Sequence, residues 1–395
     1  MTSNDFHSAL PAGQAMLEHI AHWRSTGAVI VDSGDFFEGS AFHEFSAGWV
    51  EERLLAELYD AIVPGNHDLA YLRRLARPSE FPTVVCANLR PRDKFPGRWT
   101  SGLLFEGTSP AVGIVGYLGQ QAYWSVPAVE RAGYTFTEPT PRLLAAKRDR
   151  LRAAGADLVL GVSHSGFQAD VAAQKTESVF DVVVAGHCHS NHYYWSNPQG
   201  TRHVIKAPEN GSGLARIELR ADGSRCFAIE HWEPDAHQAI RHELNWLAEV
   251  IESYRHWAAE PIGHLSEPLP DRTALAIFVA SRAQQVCASV TFVLNQGAIR
   301  AGTPMDVRRE HLVNAIPFDS EIVVISEVGR REDVTTALDR VGEKAVWSRV
   351  VQGPIETLGC TRYLAERLGL NGTPVKPSCT LRDVFVTTTM GDSRG

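Results

Sequence analysis

The tetrapeptide Gly65-Asn66-His67-Asp68 places an amide, an imidazole and a carboxylate at consecutive positions. It follows the apolar run 61–63, and Pro64 with Gly65 predicts a sharp turn at the end of a buried strand. An amide oxygen is a neutral metal ligand, while an imidazole beside it can hold or donate a proton. The pairing suits a site where metal ions bind an anion and a nearby acid protonates the leaving group. Alone, such a tetrapeptide is equally typical of an ordinary polar turn.

Four other segments carry the same kinds of side chain. Asp5 and His7 are two residues apart, so on an extended segment they would face the same way. The other three follow apolar runs that predict buried strands, and they are Gly34-Asp35, Ser163-His164 and Gly186-His187-Cys188-His189. Each histidine taken singly is more typical of a buried structural residue. Their recurrence favours one shared metal site, in which Asp35 could bridge two cations.

Alternating helices and strands are predicted to bring these segments together. Apolar spacing predicts helices at about 12–24 and 51–60, on either side of a strand at 28–31. The order is therefore β-α-β-α-β, and a doubly wound sheet places the carboxyl ends of its strands side by side. Ligands bind at this edge in open α/β sheets. A basic helix at 141–154 is predicted before the last two histidine-bearing segments.

Composition excludes several classes of protein. The chain of 395 residues is long enough for two domains, and its 44% hydrophobic and 21% charged residues are typical of a soluble globular protein. The 38 Lys and Arg against 46 Asp and Glu give a net charge of −8, which argues against a nucleic-acid partner. An anionic substrate must then be attracted by local cations or by bound metals.

The sequence favours a cytoplasmic protein without a membrane partner. No apolar run approaches the length of a membrane span, and the first residues resemble no secretory signal. The cysteines form no CxxC pair, and we predict that all of them are reduced thiols. They are Cys86, Cys188, Cys226, Cys287, Cys360 and Cys379.

Taken in order, the five segments resemble the motifs of the calcineurin-like metallophosphoesterases, over roughly residues 1–235. The resemblance implies an α/β fold, an αββα sandwich that holds two divalent metal ions. The first ion would be bound by Asp5, His7 and His189. The second would be bound by Asn66, His164 and His187, with Asp35 bridging the two. The catalytic His67 would face the phosphoryl group or the leaving oxygen, and manganese, zinc or iron would all fit such ligands.

The remainder resembles the C-terminal domain of the 5'-nucleotidase family. Three segments carry this resemblance: Glu260-Pro261-Ile262-Gly263, Asn295-Gln296-Gly297-Ala298-Ile299-Arg300 and Ile316-Pro317-Phe318. It implies a smaller α/β domain in which Asn295 and Arg300 contact a nucleotide and Phe318 stacks on the base. Arg272, just before a helix, is a less close counterpart of another phosphate-contacting arginine. The active site is therefore expected between the two domains.

Three departures from the family pattern bear on function. Ala70 stands where these enzymes often carry an aspartate that orients the catalytic histidine, so Asp68 or a distant residue is expected to orient it. Cys188 replaces a small polar residue and is expected to point away from the metals. The run 384–389 resembles the family's last strand, but the segment Gly-Gly-Asp-Gly-aromatic does not follow it. The C-terminal domain is therefore expected to be truncated at its end, without the second base-stacking ring.

An amphipathic helix is predicted between the domains. Apolar residues recur at three- and four-residue spacing over 237–257, at Ile240, Leu244, Leu247, Ile251 and Tyr254. A partner-binding role for this helix is the alternative. The predicted organisation is a dinuclear metallophosphoesterase domain at 1–235, a helical connector at 236–259 and a nucleotide-binding domain at 260–395.

The expected function is metal-dependent hydrolysis of a phosphomonoester of a nucleotide or nucleotide-like small molecule. Among enzymes, the alternatives are a cyclic nucleotide phosphodiesterase, a nucleotide-sugar hydrolase, a phosphatase for a modified nucleotide in a specialised biosynthetic pathway, and a sulfur-ester hydrolase. A catalytically inactive nucleotide-binding regulator is an alternative of another class. The complete set of metal-binding side chains favours an enzyme, because a regulator has no need of it.

Overall fold

Two mixed sheets form the core of the first unit, Met1–Ile251, in the computed structural model. The structure describes residues 1–220, 223–232, 244–289, 291–340, 343–349, 352–375 and 377–391. A second compact unit spans Glu252–Gly395, so the division between the units falls inside the helix Asn245–Ala258.

The first unit alternates short strands with helices. Its strands are β1 (Thr2–Ser3), β2 (Val31–Asp32), β3 (Ala61–Ile62), β4 (Thr83–Val85), β5 (Leu89–Pro91), β6 (Trp99–Thr100), β7 (Leu103–Phe105), β8 (Val112–Leu118), β9 (Tyr134–Phe136), β10 (Leu158–His164), β11 (Val182–Ala185), β12 (Tyr194–Ser196), β13 (His203–Lys206), β14 (Gly213–Leu219) and β15 (Arg225–His231). Its helices are α1 (Gln14–Ser25), α2 (Ala41–Ser46), α3 (Trp49–Leu58), α4 (Leu69–Leu72), α5 (Gln120–Ser125), α6 (Ala128–Arg131), α7 (Pro141–Ala153), α8 (Phe167–Thr176) and α9 (Asn245–Ala258), which crosses into the second unit.

The two sheets of the first unit pack face to face. One has the strand order β15-β14-β1-β2-β3-β4-β6 and is parallel from β1 to β6. The other has the order β12-β13-β11-β10-β8-β7 and is parallel from β13 to β8. Their inner faces meet through buried side chains that include Val31, Val63, Val162, Val184 and Ile205. This sheet-on-sheet arrangement, with helices outside, confirms the predicted α/β sandwich.

Helices that the sequence predicts in the first unit are observed. The predictions at 12–24, 51–60 and 141–154 correspond to α1, α3 and α7, with ends displaced by at most two residues. The strand predicted at 28–31 is shorter than expected, because ladder pairing is confined to Val31–Asp32. The parallel strands are buried on both faces, which is why they appear in the sequence as continuous apolar runs.

Asp5 and His7 do not lie on an extended segment, contrary to expectation. The backbone is left-handed at both residues, with φ of 47° at Asp5 and 51° at His7. Their main-chain N–H groups donate to the carbonyl oxygens of Gly34 and Asp35 at 2.8 and 2.9 Å. The segment therefore turns to meet the loop after β2, and tertiary contacts, not a two-residue period, bring the two side chains to one place.

The second unit is built around a smaller mixed sheet. Its strands are β16 (Pro261–His264), β17 (Thr291–Asn295), β18 (Asp306–Arg308), β19 (Ile322–Arg330), β20 (Ala345–Trp347), β21 (Pro354–Thr361) and β22 (Thr373–Pro374). Its helices are α10 (Arg272–Val286), α11 (Arg309–Ala315), α12 (Arg331–Arg340), α13 (Arg362–Arg367) and α14 (Leu381–Gly391). The main sheet has the order β20-β17-β21-β19-β22, in which only the pair β17 and β21 is parallel among the described residues.

The run 384–389 is helical, so its prediction as a strand is wrong. Leu381, Val384 and Phe385 are at most 1% exposed and recur at helical spacing within α14. The helix begins with a reciprocal cap, in which the N–H of Thr380 donates to the Asp383 carboxylate at 2.9 Å and the N–H of Asp383 donates to the Thr380 hydroxyl at 3.2 Å. Capping and burial outweigh the strand preference of valine and threonine here.

Helix α9 supplies part of the predicted connector. Leu247, Ile251 and Tyr254 are buried, as their spacing predicts, and Leu244 just before the helix is buried as well. Ile240 lies outside the described residues. Within the described part of the chain, each helix is too short or too polar to cross a bilayer.

Candidate metal centre

The candidate ligands follow the carboxyl ends of strands in both sheets of the first unit. Asp35 and Asn66 come after β2 and β3 of one sheet, while His164 ends β10 and His187 follows β11 of the other. The imidazole of His164 crosses between the sheets, because its Nδ1 lies 2.8 Å from the carbonyl oxygen of Ser33. The parallel topology therefore brings separate segments of the sequence to one place.

Two glycines allow the loops to approach each other this closely. Gly34 has φ of 103°, and a Cβ built on it would lie 2.5 Å from Nδ1 of His164. A Cβ on Gly65 would overlap Oδ1 of Asp35. Any larger residue at either position would push a candidate ligand away, so these glycines are part of the site.

The polar side chains form three overlapping clusters of metal-ligand type. In each cluster, ligand atoms lie within 4.8 Å of one another, and the members are Asp5, His7 and His189; His7, Asp35 and His67; and Asp35, His164 and His187. Asp35 belongs to two clusters, so its position suits a carboxylate shared between two cations. Cys188 belongs to none of these clusters, and its sulfur instead accepts the N–H of Phe167 at 3.0 Å.

Short distances between ligand atoms indicate that the donor set fits divalent cations. Nε2 of His7 lies 3.1 Å from Nε2 of His189, and Nε2 of His164 lies 3.1 Å from Oδ2 of Asp35. The amide oxygen of Asn66 lies 3.3 Å from Nε2 of His164. Imidazole nitrogens, carboxylates and an amide oxygen converging in this way match the ligand preferences of zinc, manganese and iron.

Burial and charge set the protonation of these groups. Burial opposes ionisation of Asp35, but positive charge on His164 and His67 outweighs it and lowers the pKa of Asp35 well below its usual value. Burial alone would lower the pKa of His164, yet the charge of Asp35 raises it to about 10. Burial lowers the pKa of His187 to about 4, so this imidazole is a neutral ligand at pH 7. A metal ion bound here would replace the proton that His164 holds.

His67 lies beside the candidate ligands and is held by two groups. Its main-chain N–H donates to Oδ1 of Asp35 at 2.8 Å, and its ring lies edge-on to that of His7 with centroids 5.0 Å apart. Nδ1 of His67 lies 3.3 Å from Oε2 of Glu38. The imidazole is thus fixed at the edge of the candidate metal site, where it could give a proton to a bound group.

Either Asp68 or a distant residue was expected to orient His67, and the carboxylate of Asp68 is held by main-chain donors. Its carboxylate is fully buried and accepts four main-chain N–H groups, those of Asp35, Phe36, Phe37 and Gly65, at 2.7 to 3.1 Å. Burial, reinforced by the charge of Asp35, raises the pKa of Asp68 to about 6. Asp68 therefore ties the loop after β2 to the turn after β3, and the carboxylate placed at His67 is that of Glu38.

Lys206 supports the loop of a candidate ligand, and the sequence patterns did not identify it. It ends β13, its side chain is fully buried, and its ammonium donates to the carbonyl oxygens of Cys188 and Ser190, both at 2.8 Å. It also donates to the carboxylate of Glu209 at 3.0 Å. Because the two carbonyls flank His189, Lys206 fixes the loop that carries this candidate ligand. The only signal in the sequence is a charged residue at the end of an apolar strand.

In the second unit, the structure brings Arg300 and Phe318 together. The guanidinium carbon of Arg300 lies 5.2 Å from the centroid of the Phe318 ring, which is 37% exposed. The loop before this ring is held by Arg382, which donates to the carbonyl oxygens of Ile316 and Pro317 at 2.8 and 3.0 Å. An exposed aromatic ring with a cation over it is a surface suited to a planar, charged ligand.

Asn295 and Arg272 occupy different surroundings in this unit. Asn295 ends β17 and is buried, and its amide nitrogen donates to the Glu343 carboxylate at 3.1 Å while its oxygen has no partner among the described residues. Arg272 is exposed at the first residue of α10. Asp271 caps that helix by accepting the N–H groups of the second and third helical residues.

Comparisons with known proteins agree with this geometry. A family profile described as calcineurin-like phosphoesterase matches residues 3–191. Snake venom 5'-nucleotidase from Naja atra is 29% identical over 212 residues, which are 49% of this chain and 39% of that protein. The chain therefore spans about two fifths of the length of this curated relative.

Solved structures show the same fold. A 5'-nucleotidase precursor from Thermus thermophilus superposes with a TM-score of 0.78 over 98% of this chain and 94% of that chain, at 17% identity. The sulfate thiohydrolase SoxB from Thermus thermophilus superposes with a TM-score of 0.74 over 96% and 79%, at 14% identity. At such identities the likeness concerns the fold, which proteins with different named activities share.

Replacement of Lys206 by methionine should weaken metal binding. The change leaves the carbonyls of Cys188 and Ser190 and the carboxylate of Glu209 without their cation. Loss of an outer partner of a metal ligand typically costs about 10- to 100-fold in affinity. Affinity for Zn²⁺ or Mn²⁺ can be measured by competition with a chelator. Lys175→Met is the matched control because this lysine is exposed on α8. Equal metal affinities in the two variants would show that Lys206 does not hold the ligand loop.

Proposed function

The chain belongs to the calcineurin-like phosphoesterases, whose members are phosphoric ester hydrolases, and we propose that its substrate is the phosphomonoester of a nucleotide or nucleotide-like small molecule. The observation that carries this proposal is the overlap of three ligand clusters, two of which share Asp35. That arrangement suits a site that binds an anion through two cations. A regulator without activity would have no use for so complete a set.

The family implies divalent metal ions, and the donor set of the first unit fits two of them. We assign Asp5, His7 and His189 to one ion and Asn66, His164 and His187 to the other, with Asp35 between them. When bound, such ions polarise phosphate oxygens and lower the pKa of water to make a nucleophile. Manganese, zinc and iron all suit these ligands.

The chain's own contribution to bond cleavage is assigned to His67. Its main chain is fixed by Asp35 and its ring lies beside His7, so the imidazole is held next to the ligand cluster. As water attacks phosphorus and the bond to the leaving oxygen breaks, that oxygen takes the proton of the imidazole. Such an acid contributes most when the leaving group is a poor one.

The second unit is proposed to bind the nucleoside part of the substrate. Arg300 and Phe318 form an exposed cation–ring pair, and Asn295 ends the strand before the segment that carries Arg300. The ring would stack on a base, the guanidinium would bind charged or ribose oxygens, and Arg272 is a further candidate for contact with phosphate.

We also propose a cytoplasmic, reducing location. It is supported by the six cysteines, all of which are free thiols in the structure.

Replacement of His67 by alanine should remove most turnover while leaving the metals in place. Asn66, not His67, is the assigned ligand, and loss of a general acid typically costs about 10²- to 10⁴-fold. The loss should be large for an alkyl phosphate and small for an aryl phosphate with a good leaving group. His256→Ala, at an exposed position of α9, is the control. Equal losses on the two esters, measured as kcat at full metal content, would contradict an acid role.

Replacement of Arg300 or Phe318 by alanine should lower kcat/KM for a nucleoside monophosphate but not for a small aryl phosphate. A charge-assisted hydrogen bond contributes about 1.5–3 kcal/mol and base stacking about 1–3 kcal/mol. Each loss corresponds to roughly ten- to hundredfold in efficiency. Arg282→Ala is the matched control, because Arg282 lies 5.5 Å over the ring of Phe278 in the same unit.

A screen of phosphate release from nucleoside mono-, di- and cyclic phosphates would define the substrate. Parallel losses on nucleotide and aryl phosphate in the Arg300 and Phe318 variants would contradict nucleoside recognition by the second unit. The proposal would then reduce to a phosphoesterase with another kind of substrate.

A further inference from the structure

The turn after β2 carries a glutamate in a backbone conformation that disfavours it. Glu38 has φ of 61° and Gly39, the next residue, has φ of 101°. Glycine is required at position 39, because a Cβ there would lie 2.8 Å from Nδ1 of His7. Glutamate at position 38 is strained, since the left-handed region suits glycine or asparagine better. Strain of this kind often accompanies a side chain with a functional contact.

The side chain of Glu38 makes such a contact with His67. Its Oε2 lies 3.3 Å from Nδ1 of the imidazole, and the two side chains are 28% and 18% exposed. The main-chain N–H of His67 is already held by Asp35, so the rotation of the ring is what remains to be fixed. A carboxylate at Nδ1 fixes it, because the hydrogen bond selects the form with a proton on Nδ1. Nε2 lies on the opposite side of the ring from this contact.

Other carboxylates near His67 in the sequence are unsuited to this role. Asp68 uses its oxygens for main-chain N–H groups, and residue 70, one helical turn after His67 in α4, is alanine. The sequence therefore lacks a carboxylate at the position expected to orient the histidine. Glu38 reaches the same imidazole from a separate loop, 29 residues earlier in the chain.

We propose that Glu38 is the positioning residue for His67, a role that rests on the proposed phosphoester hydrolysis. Its carboxylate accepts the Nδ1 proton and holds the ring so that the Nε2 proton passes to the leaving oxygen as the bond from phosphorus breaks. The electron pair of that bond stays on the leaving oxygen, and the imidazole loses one proton. Glu38 itself does not touch the substrate.

Kinetics on two leaving groups test this role. Glu38→Ala should lower kcat on an alkyl phosphate by about 10- to 100-fold, yet by roughly threefold or less on an aryl phosphate with a good leaving group. Adding Ala70→Asp to that variant should restore most of the lost alkyl activity, because it returns a carboxylate one helical turn from His67. Glu106→Gln, an exposed glutamate between β7 and β8, is the charge-matched control. Equal losses on both esters, or no loss on either, would overturn the proposal.

A second readout does not depend on turnover. In the zinc-loaded protein, at a pH where the His67 imidazole is neutral, long-range ¹H–¹⁵N NMR should show its one proton on Nδ1, and Glu38→Ala should shift that proton towards Nε2. An unchanged tautomer in Glu38→Ala would overturn the role of Glu38. If Glu38→Ala changes the tautomer but the wild-type protein hydrolyses no phosphoester, the proposed function would be contradicted. The contact between Glu38 and His67 would still stand. Metal content measured on the same samples shows whether the centre is intact.

Discussion

The burial of charge around Asp35 is the constraint on which the first unit depends. Asp5, Asp35 and Asp68 are each at most 2% exposed, and buried carboxylates cost free energy unless they are compensated. Asp68 is compensated by four main-chain N–H groups and needs no cation. Asp5 and Asp35 each accept one main-chain N–H group, from His187 and His67, and also face imidazoles. Positive charge in the cluster therefore contributes to their stabilisation. Divalent ions would supply that charge, which is why the same residues suit a catalytic centre.

The candidate ligands were predictable because they sit at strand ends. Asn66, His164 and His187 each end or follow an apolar run, and a parallel sheet brings such ends to one edge. Glu38 and Lys206 were not predictable in this way. Each contacts a residue at least 18 positions away, and the spacing of residues along the sequence does not predict such a contact. The sequence could not choose between Asp68 and a distant residue as the group that orients His67, since only the folded chain shows which donors the Asp68 carboxylate meets.

The fold was predictable where the period of the apolar residues is clear, as in α1, α3 and α7. It was not predictable in two places where another interaction overrides the period. Valine and threonine in 384–389 favour a strand, but a cap between Thr380 and Asp383 and the burial of one face make the segment a helix. Asp5 and His7 are two residues apart, yet left-handed backbone, not an extended strand, brings their side chains together.

The central claim is that Asp35 serves two ion sites at once, and counting metal ions tests it most directly. Wild type, Asp5→Ala and Asp35→Ala can be dialysed against Mn²⁺ or Zn²⁺ and analysed by plasma mass spectrometry, with circular dichroism to confirm folding. We expect about two tightly held ions in the wild type, one in Asp5→Ala and none in Asp35→Ala, because a shared ligand is lost from both sites at once. A folded Asp35→Ala protein that still holds two ions would contradict the account.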